Sequence, residues 1–283
     1  MKHDLATALW TIERARSLGA AARAAGREAA VHVKIDTGMT RLGLDLGDLQ
    51  AFGEALRDVA GLRVAGVFSH LASADAVETA SARTQIERFG SGVEALAATG
   101  LRPELVHLAN SAAVLAAPGA HFTMVRPGIM LYGYPPAPHL AAHAALRPAL
   151  RLRSALAQVR AVPAGTPVGY GGTFVAARPS RIGVVPVGYA DGYHRLASNR
   201  ASVLVRGQRA PIAGRVCMDH TMVDVTGVGE VGASEPVVLV GGQGAAMIGA
   251  DEVAGWCETI PYEVLTSVGR RVPRIYVEEF TDA

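Results

Sequence analysis

Lys34 opens the run KIDTGMTR, which ends at Arg41, and it is one of only two lysines in the chain. The other is Lys2, beside the first residue. A lysine amine that is shielded from water can lose its proton and form an imine with a carbonyl compound, whereas arginine does neither under ordinary conditions. The scarcity of lysine therefore makes Lys34 the first candidate for a catalytic nucleophile.

Polar and basic side chains recur where the predicted strands of the first half end. Because the carboxyl ends of parallel strands meet on one rim of a sheet or barrel, active sites form there. The sequence therefore predicts one shared site built from four segments. Its members are Lys34, Asp36, Thr37 and Arg41 after the first strand, Ser69 and His70 after the second, His107, Asn110 and Ser111 after the third, and Arg126 within the fourth.

A phosphate site is indicated by Ser111, Gly128 and Ile129. A serine hydroxyl, backbone N–H groups and the start of a predicted helix together favour an anion. The side chains of Asn110 and Ser111 also suit the cap of that helix, and this second interpretation stays open.

Tyrosines beside glycines mark the second half of the chain. Tyr170 lies in VGYGG and Tyr189 lies in GYADGYHR, while the run GRVCMD contributes Cys217, Met218 and Asp219. Glycine lets other backbone approach closely while the phenol projects. Tyrosine is an uncommon general acid or base, so a functional loop and a plain turn around a half-buried tyrosine both stay open.

The elements that must position these residues alternate along the first half. Repeated alternation of strand and helix predicts a parallel sheet with crossover helices, and therefore an α/β fold. The helix-like stretches are residues 4–28, 47–60, 77–98 and 111–117, and the strand-like runs are Val31–Asp36, Leu62–His70, Leu105–Ala109 and Phe122–Tyr132.

The second half is built differently. A proline-rich stretch at residues 135–138 predicts a linker, so we expect one domain over residues 1–136 and another over residues 137–283. Short apolar runs separated by glycine and proline predict that the second domain is mainly antiparallel β. The tail Val253–Arg271 has mixed signals and is left unassigned. The predicted strands are Ala155–Val162, Ser180–Val187, Ala201–Val205, Ala210–Val216, Thr221–Val225 and Pro236–Val240.

Composition excludes several classes of function. Net charge is +2 and the arginines are scattered, so we expect no nucleic-acid partner. We also expect no membrane span, because no apolar run approaches the required length. Cys217 and Cys257 are far apart, which argues against a disulfide framework or a metal site and favours the cytoplasm.

Taken together, from about residue 4 to residue 276, the motifs resemble the alanine racemase family. The resemblance implies a pyridoxal 5′-phosphate enzyme with an eight-stranded β/α barrel and a β domain, working as a head-to-tail homodimer. It also implies interconversion of L-alanine and D-alanine, which supplies D-alanine for cell-wall synthesis. The motifs are KIDTGMTR from Lys34, HLANS from His107, VRPGI from Val125, GYG from Gly169, GYADG from Gly188, CMD from Cys217 and TIPYEV from Thr259.

The resemblance assigns a role to each site residue. Racemisation needs a base on each face of the α-carbon, and Tyr170 would be the base for L-alanine in the partner subunit's site. Arg126 would hydrogen-bond the pyridine nitrogen and His70 would pack against the ring. Arg41 and the Met218 backbone would bind the substrate carboxylate. The resemblance implies further cofactor contacts from Asn110, Ser111, Gly128, Ile129 and Tyr262, and supporting roles for Lys34, Tyr189, Arg195, Cys217 and Asp219.

One family motif has no counterpart in the sequence. The family's base for D-alanine is the lysine that also binds the cofactor covalently, in a first-strand motif of the form Lys-x-x-x-Tyr-Gly-His. Lys34 instead matches a family lysine that is often carbamylated and steadies the arginine at Arg41, and Lys2 is a poor candidate. We therefore expect a partial (β/α)8 TIM-type barrel, with about the C-terminal four βα units and without the N-terminal part.

Three functions stay open. The first is an alanine racemase represented by its C-terminal two-thirds. The second is a non-catalytic fragment or pseudo-enzyme that binds a phosphate-bearing ligand or dimerises. The third is a related cofactor enzyme that acts on a larger amino acid. A sheet of four parallel strands has two edge strands with unpaired backbone groups. We therefore expect that the chain is marginally stable alone or is stabilised by association with another chain.

Overall fold

The computed structural model describes residues 3 and 5–278, and the chain divides into two compact units. The first unit comprises Met1–Leu131 and Pro135–Leu146, and the second comprises Tyr132–Tyr134 and Arg147–Ala283. Lys2, the second lysine of the sequence, lies outside the described residues.

A four-stranded parallel sheet forms the centre of the first unit, with the strands in the order of the chain. The predicted parallel sheet with crossover helices is therefore confirmed. The strands are β1 (Thr7–Leu9), β2 (Ala29–Lys34), β3 (Leu62–Phe68) and β4 (Leu105–His107), and the helices are α1 (Ile12–Ala24), α2 (Leu49–Arg57), α3 (Ala80–Ala98) and α4 (Ser111–Ala116).

Two predicted elements of the first unit were wrong. Residues 4–28 are not one helix, because β1 precedes α1 and Thr11 caps α1 by accepting a hydrogen bond from the Arg14 amide. A three-residue strand is too short to show an alternating pattern. Residues 122–132 form no strand beyond an isolated bridge between His107 and Met124. Pro127 has no N–H for a strand ladder, and a 3-10 helix follows at Ile129–Tyr132.

The core of the first unit lies between the sheet and its helices. Val31, Val33 and Ile35 are fully buried there against apolar side chains such as Phe89. Because side chains alternate along a strand, His32 and Lys34 point to the opposite face of the sheet. That face is where the polar residues of the candidate site lie.

The second unit is built from antiparallel strands, as predicted. Its sheets have the orders β11-β10-β13-β14 with β5 beside β13, β12-β9-β6, and β7-β8. Two helices follow, α5 (Ala250–Trp256) and α6 (Pro261–Ser267). The strands are β5 (Leu152–Ala155), β6 (Gln158–Val162), β7 (Pro167–Val168), β8 (Phe174–Val175), β9 (Ser180–Val185), β10 (Ser202–Val205), β11 (Gln208–Pro211), β12 (Thr221–Asp224), β13 (Pro236–Gln243) and β14 (Ala246–Ile248).

Two strand boundaries in the second unit also differ from prediction. The predicted strand Ala155–Val162 is two strands, since β5 pairs with β13 and β6 pairs with β9. The predicted strand Ala210–Val216 ends at Pro211, and Gly214 then turns the chain with φ +93°. Within the described residues, no helix has both the length and the apolar character needed to cross a membrane.

Candidate active site

Lys34 ends β2 and is only 7% exposed. Its Nζ lies 4.8 Å from the centre of the Phe68 ring. Burial, followed by the charges of Arg126 and Arg41, lowers the pKa of Lys34 below its ordinary value, and Asp36 offsets this only in part. A larger share of the amine is therefore neutral, which is the form that attacks a carbonyl carbon or carbon dioxide.

Arg126 is held by acceptors from two strand ends. Its Nη2 donates to the Ser69 carbonyl at 2.9 Å and to the Leu108 carbonyl at 3.2 Å. Its Nη1 donates to Nδ1 of His107 at 2.7 Å. Within the described part of the chain, Nε of Arg126 has no hydrogen-bond partner. The guanidinium is thus fixed in position, and its Nε–H group is left for a ligand.

His107 extends this arrangement away from Arg126. Its Nε2 lies 2.8 Å from Nδ1 of His32, and its ring stacks on Phe68 at 5.0 Å between centroids and 4° between planes. Burial, followed by the charges of Arg126 and His32, lowers the pKa of His107 to about 3. His107 is therefore neutral at physiological pH.

Positive charge is concentrated around His70. Burial, followed by Arg126, Arg41 and Lys34, lowers the pKa of the His70 imidazole. The residues predicted at four strand ends thus affect one another electrostatically, although the fourth segment is not a strand. A site with this charge favours an anionic ligand.

A polar network that the sequence did not reveal supports this rim. Gln85 on α3 is 3% exposed and donates through Nε2 to Thr37 Oγ1 and to the His70 carbonyl, both at 3.1 Å. The hydroxyl groups of Thr37 and Ser69 are 2.9 Å apart. A glutamine in a helix is usually exposed, so only its position on the apolar face of α3 could have indicated this role.

Asp36 shapes the loop that carries Arg41. Its Oδ1 accepts hydrogen bonds from three successive amides, those of residues 38, 39 and 40. Burial acts to raise the pKa of Asp36, but these amides together with Lys34 bring it below its ordinary value. The loop closes at Gly43, where φ is +135° and a Cβ atom would lie 2.6 Å from the Asp36 nitrogen. Arg41 itself is exposed.

Ser111 joins the start of α4 to the segment after Arg126. Its Oγ accepts from the Gly128 amide at 2.8 Å and lies 3.5 Å from the Met130 nitrogen. Asn110 caps α4 by accepting from the Ala113 amide at 3.1 Å. Ile129 begins a 3-10 helix, whose first amides have no partner within the helix. The structure therefore brings Ser111, Gly128 and Ile129 together, and it gives Asn110 a capping role.

Tyr170 stands on a glycine loop of the second unit and is 71% exposed. Gly169 and Gly171 both have φ of +71°, and a Cβ atom at Gly169 would lie 2.7 Å from the Met222 methyl group. Tyr170 borders an open depression that Cys217 and Met222 also line. The backbone at Gly169 and Gly171 therefore disfavours larger residues, and the phenol of Tyr170 extends into solvent.

Two further loops of the second unit are hydrogen-bonded to each other. The Tyr189 amide donates to the Cys217 carbonyl and the Ala190 amide donates to the Met218 carbonyl, both at 3.0 Å. A Cβ atom at Gly188 would lie 2.3 Å from each of these carbonyl oxygens. Met218 is 54% exposed, so these bonds position a loop that remains open to ligands.

Arg271 bridges the same two loops and was not predicted. Its Nε is 3.3 Å from Asp191 and its Nη2 donates to Asp219 at 2.8 Å. It lies in the tail that sequence patterns left unassigned, where one arginine among many gave no signal. The ion pair with Arg271 thus fixes the carboxylate of Asp219, the residue that follows Met218 in the chain.

The other predicted residues of the second unit are partly exposed. Burial raises the pKa of the Cys217 thiol, and the charge of Arg195 opposes this. Tyr262 lies on α6 and is 41% exposed. Among the described residues, no side-chain hydrogen bond joins Tyr170 to Tyr189 or Arg195. The same residues contain no group of three or more metal-ligating His, Cys, Asp or Glu side chains.

Two family models match almost the whole chain. The alanine racemase N-terminal domain matches residues 1–136, and the alanine racemase C-terminal domain matches residues 149–276. The alanine racemase of Syntrophobacter fumaroxidans is 46% identical over 270 residues, which are 95% of this chain and 72% of that protein.

Solved structures agree with the sequence matches. The alanine racemase from D-cycloserine-producing Streptomyces lavendulae has a TM-score of 0.92 at 38% identity, covering 98% of this chain and 74% of that one. The Bacillus anthracis alanine racemase with bound L-Ala-P has a TM-score of 0.90 at 35% identity, covering 98% and 72%. The strand-end site, the glycine-flanked tyrosine and these matches lead to one conclusion: the chain belongs to the alanine racemase family.

Proposed function

We propose that this chain binds pyridoxal 5′-phosphate and takes part in the racemisation of L-alanine and D-alanine by a two-base mechanism. The observation that carries the proposal is Arg126, which is fixed through Nη1 and Nη2 and keeps its Nε–H group for a ligand. D-alanine produced in this way would serve cell-wall synthesis.

The residues present suit this cofactor. The Nε–H group of Arg126 would donate to the pyridine nitrogen, and because arginine does not give up its proton, that nitrogen would stay unprotonated. The phosphate would be held by Ser111 and the backbone of Gly128 and Ile129, beside the positive charge of the site. His70 would pack against the ring. A contact between Tyr262 and the cofactor phosphate stays a prediction of the family resemblance.

When bound, pyridoxal 5′-phosphate withdraws electrons from the substrate's α-carbon and so makes its proton removable. Tyr170 would take that proton from L-alanine, in the site of the partner subunit. Its exposure and its glycine loop support this role, since the phenol must reach a substrate. Arg41 would bind the L-alanine carboxylate. A contact of the Met218 backbone with that carboxylate, supported by Asp219, stays a prediction of the family resemblance.

The supporting residues would act through these groups. Cys217 and Tyr189 would hold the Met218 loop through the backbone bonds between their segments. That Tyr189 and Arg195 steady Tyr170 stays a prediction of the family resemblance. Asn110 would support the phosphate site by capping α4.

The family's base for D-alanine is the lysine that binds the cofactor covalently. We propose that neither Lys34 nor Lys2 is the residue that binds the cofactor covalently. Lys34 would instead react with carbon dioxide, forming an N–C bond and releasing a proton, and the resulting carbamate would pair with Arg41. The lowered pKa of Lys34 supports this, because only the neutral amine reacts.

We further propose that the sheet of the first unit corresponds to about four of the eight βα units of the family's barrel. The relatives support this reading, because the chain spans 72% to 74% of their length. In this proposal residues 1–136 bind the cofactor, and residues 137–283 carry the tyrosine base and the carboxylate-binding motif. The protein would work in the cytoplasm as a homodimer.

Cofactor binding tests the proposal directly. The affinity of the full chain for pyridoxal 5′-phosphate is expected to fall about tenfold or more in Ser111→Ala, since a hydrogen bond to a charged group is lost. Ser81→Ala, at an exposed position of α3, is the matched control and is expected to bind as the wild type does. Wild-type affinity in Ser111→Ala would contradict the phosphate assignment.

Exchange of the α-proton in D2O separates the three functions. The cofactor-loaded chain is expected to exchange the α-proton of L-alanine faster than free cofactor does. Binding of the cofactor without any exchange would favour the non-catalytic alternative. Faster exchange with serine or arginine than with alanine would favour a related enzyme for a larger amino acid.

A further inference from the structure

We propose that His32 is a positioning residue, which fixes the proton of His107 and through it the guanidinium of Arg126. The effect on the cofactor rests on the proposed function, because Arg126 is the group proposed to contact the ring nitrogen. The contacts among the three side chains do not depend on that function.

The direction of the hydrogen bonds follows from the chemistry of arginine. Arg126 only donates, so Nδ1 of His107, 2.7 Å from its Nη1, must accept and carries no proton. The proton of neutral His107 is therefore on Nε2. That N–H group points at Nδ1 of His32, 2.8 Å away, which must accept in turn. One chain of donors thus runs from Arg126 through His107 to His32.

The sheet is built to allow this contact. His32 on β2 and His107 on β4 meet across β3, where Gly66 stands opposite His32. A Cβ atom at Gly66 would lie 2.3 Å from the His32 Nδ1 atom, so a larger residue there would push the imidazole away. A register shift between Val31 and His32 sets this pairing.

Phe68 packs against the imidazole rings of both His32 and His107. It stacks on His107 and meets His32 edge-on, with 6.5 Å between centroids and 71° between planes. His107 is buried, so its Nε2–H group depends on the protein for a partner. Without His32, the Nε2–H group of His107 has no acceptor. Rotation of the His107 ring, or transfer of its proton to Nδ1, would then no longer cost a hydrogen bond. A proton on Nδ1 of His107 would point at the Nη1–H group of Arg126, and the hydrogen bond between these two atoms would be lost.

Two substitutions separate positioning from packing. His32→Asn keeps an acceptor near the position of Nδ1, whereas His32→Leu keeps the volume without an acceptor. His139→Leu, at an exposed histidine of the first unit, is the control. The conservative variant is expected to retain what the leucine variant loses.

Nitrogen NMR of the full, cofactor-free chain reads the proton positions directly. We expect His107 with its proton on Nε2 and a scalar coupling across the hydrogen bond to Nδ1 of His32. A proton on Nδ1 of His107, or no coupling, would overturn the proposal. This measurement uses the wild type alone, so it decides the matter even where a variant fails to fold or the chain binds no cofactor.

The affinity for pyridoxal 5′-phosphate and the absorption spectrum of the bound cofactor then test the consequence. His32→Leu is expected to bind about tenfold more weakly with a shifted spectrum, and His32→Asn to stay within about twofold of the wild type. Equal loss in both variants, or loss in neither, would overturn the positioning role. Absence of binding in the wild type would instead contradict the proposed function.

Discussion

The position of Arg126 could be predicted from the sequence. Its presence at the rim, with His70 and Ser111 nearby, was predicted from the ends of apolar runs. His32 was not predicted, because a histidine inside a strand has no distinguishing neighbour in the sequence. Only the opposed Gly66 and the alternation of β2 place it against His107.

The pH dependence of stability tests the buried state of His107. The ordinary pKa of 6.5 applies to the unfolded chain and about 3 to the folded one. The unfolded chain therefore binds a proton first as pH falls, so stability is full above about pH 6.5 and is lost between there and about pH 3. At about 1.4 kcal/mol per pH unit, the upper bound for this loss is about 5 kcal/mol.

Urea unfolding at a series of pH values measures that loss. A His107→Gln variant is expected to lose less stability than the wild type over the same pH interval, because glutamine does not titrate. Ser81→Ala, at an exposed position of the same unit, is the control and is expected to follow the wild type. Parallel curves for His107→Gln and the wild type would contradict a neutral, buried His107.

Tyr170 offers a second test at the residue scale. Tyr170→Phe is expected to slow α-proton exchange from L-alanine about 10²- to 10⁴-fold, the range for loss of a general base. Exchange from D-alanine is expected to change less. Stability is expected to stay constant because the phenol is largely exposed. Tyr276→Phe, at a side chain that is 93% exposed, is the control, and equal exchange in the two variants would remove Tyr170 from its role.

At the scale of elements, strands with a clear apolar pattern were predicted well and short or interrupted ones were not. β2, β3 and β4 lie within the predicted runs or begin up to two residues earlier. The segment that carries Arg126 was wrongly predicted as a strand, yet Arg126 still reaches the site. Its amide donates to the Ala109 carbonyl at 2.9 Å, so the segment runs beside the end of β4 without forming a ladder.

The paired loops of the second unit yield a prediction at this scale. Gly188 has extended backbone that any residue adopts, with φ −146° and ψ −162°. The obstacle to a side chain is therefore steric, from the carbonyl oxygens of Cys217 and Met218. Gly188→Ala is expected to destabilise the protein by about 1–3 kcal/mol, as overpacking does.

Thermal or urea unfolding measures this effect. Gly227→Ala is the matched control, since a Cβ atom there meets nothing within 4 Å. The Gly188→Ala variant is also expected to weaken L-alanine binding, because Met218 moves with the loop. Equal stability in the two variants would show that the loops are not tightly apposed.

At the scale of the whole chain, family membership could be predicted because seven motifs occur in the order of the family and are specific as a set. The supporting residues Gln85 and Arg271 could not be predicted, since each acts through a partner far away in sequence. The antiparallel β unit followed from the turn residues, while the two helices of its tail did not. Short helices with few charges give weak periodic signals.

In the proposed function this chain contributes cofactor and substrate contacts, while Lys34 has a supporting role. The most direct test of that role is reduction with borohydride in the presence of pyridoxal 5′-phosphate, followed by mass spectrometry of the peptides. We predict that the peptide containing Lys34 stays unmodified. A stoichiometric pyridoxyl adduct on Lys34 would contradict the supporting role and make this residue the covalent cofactor lysine.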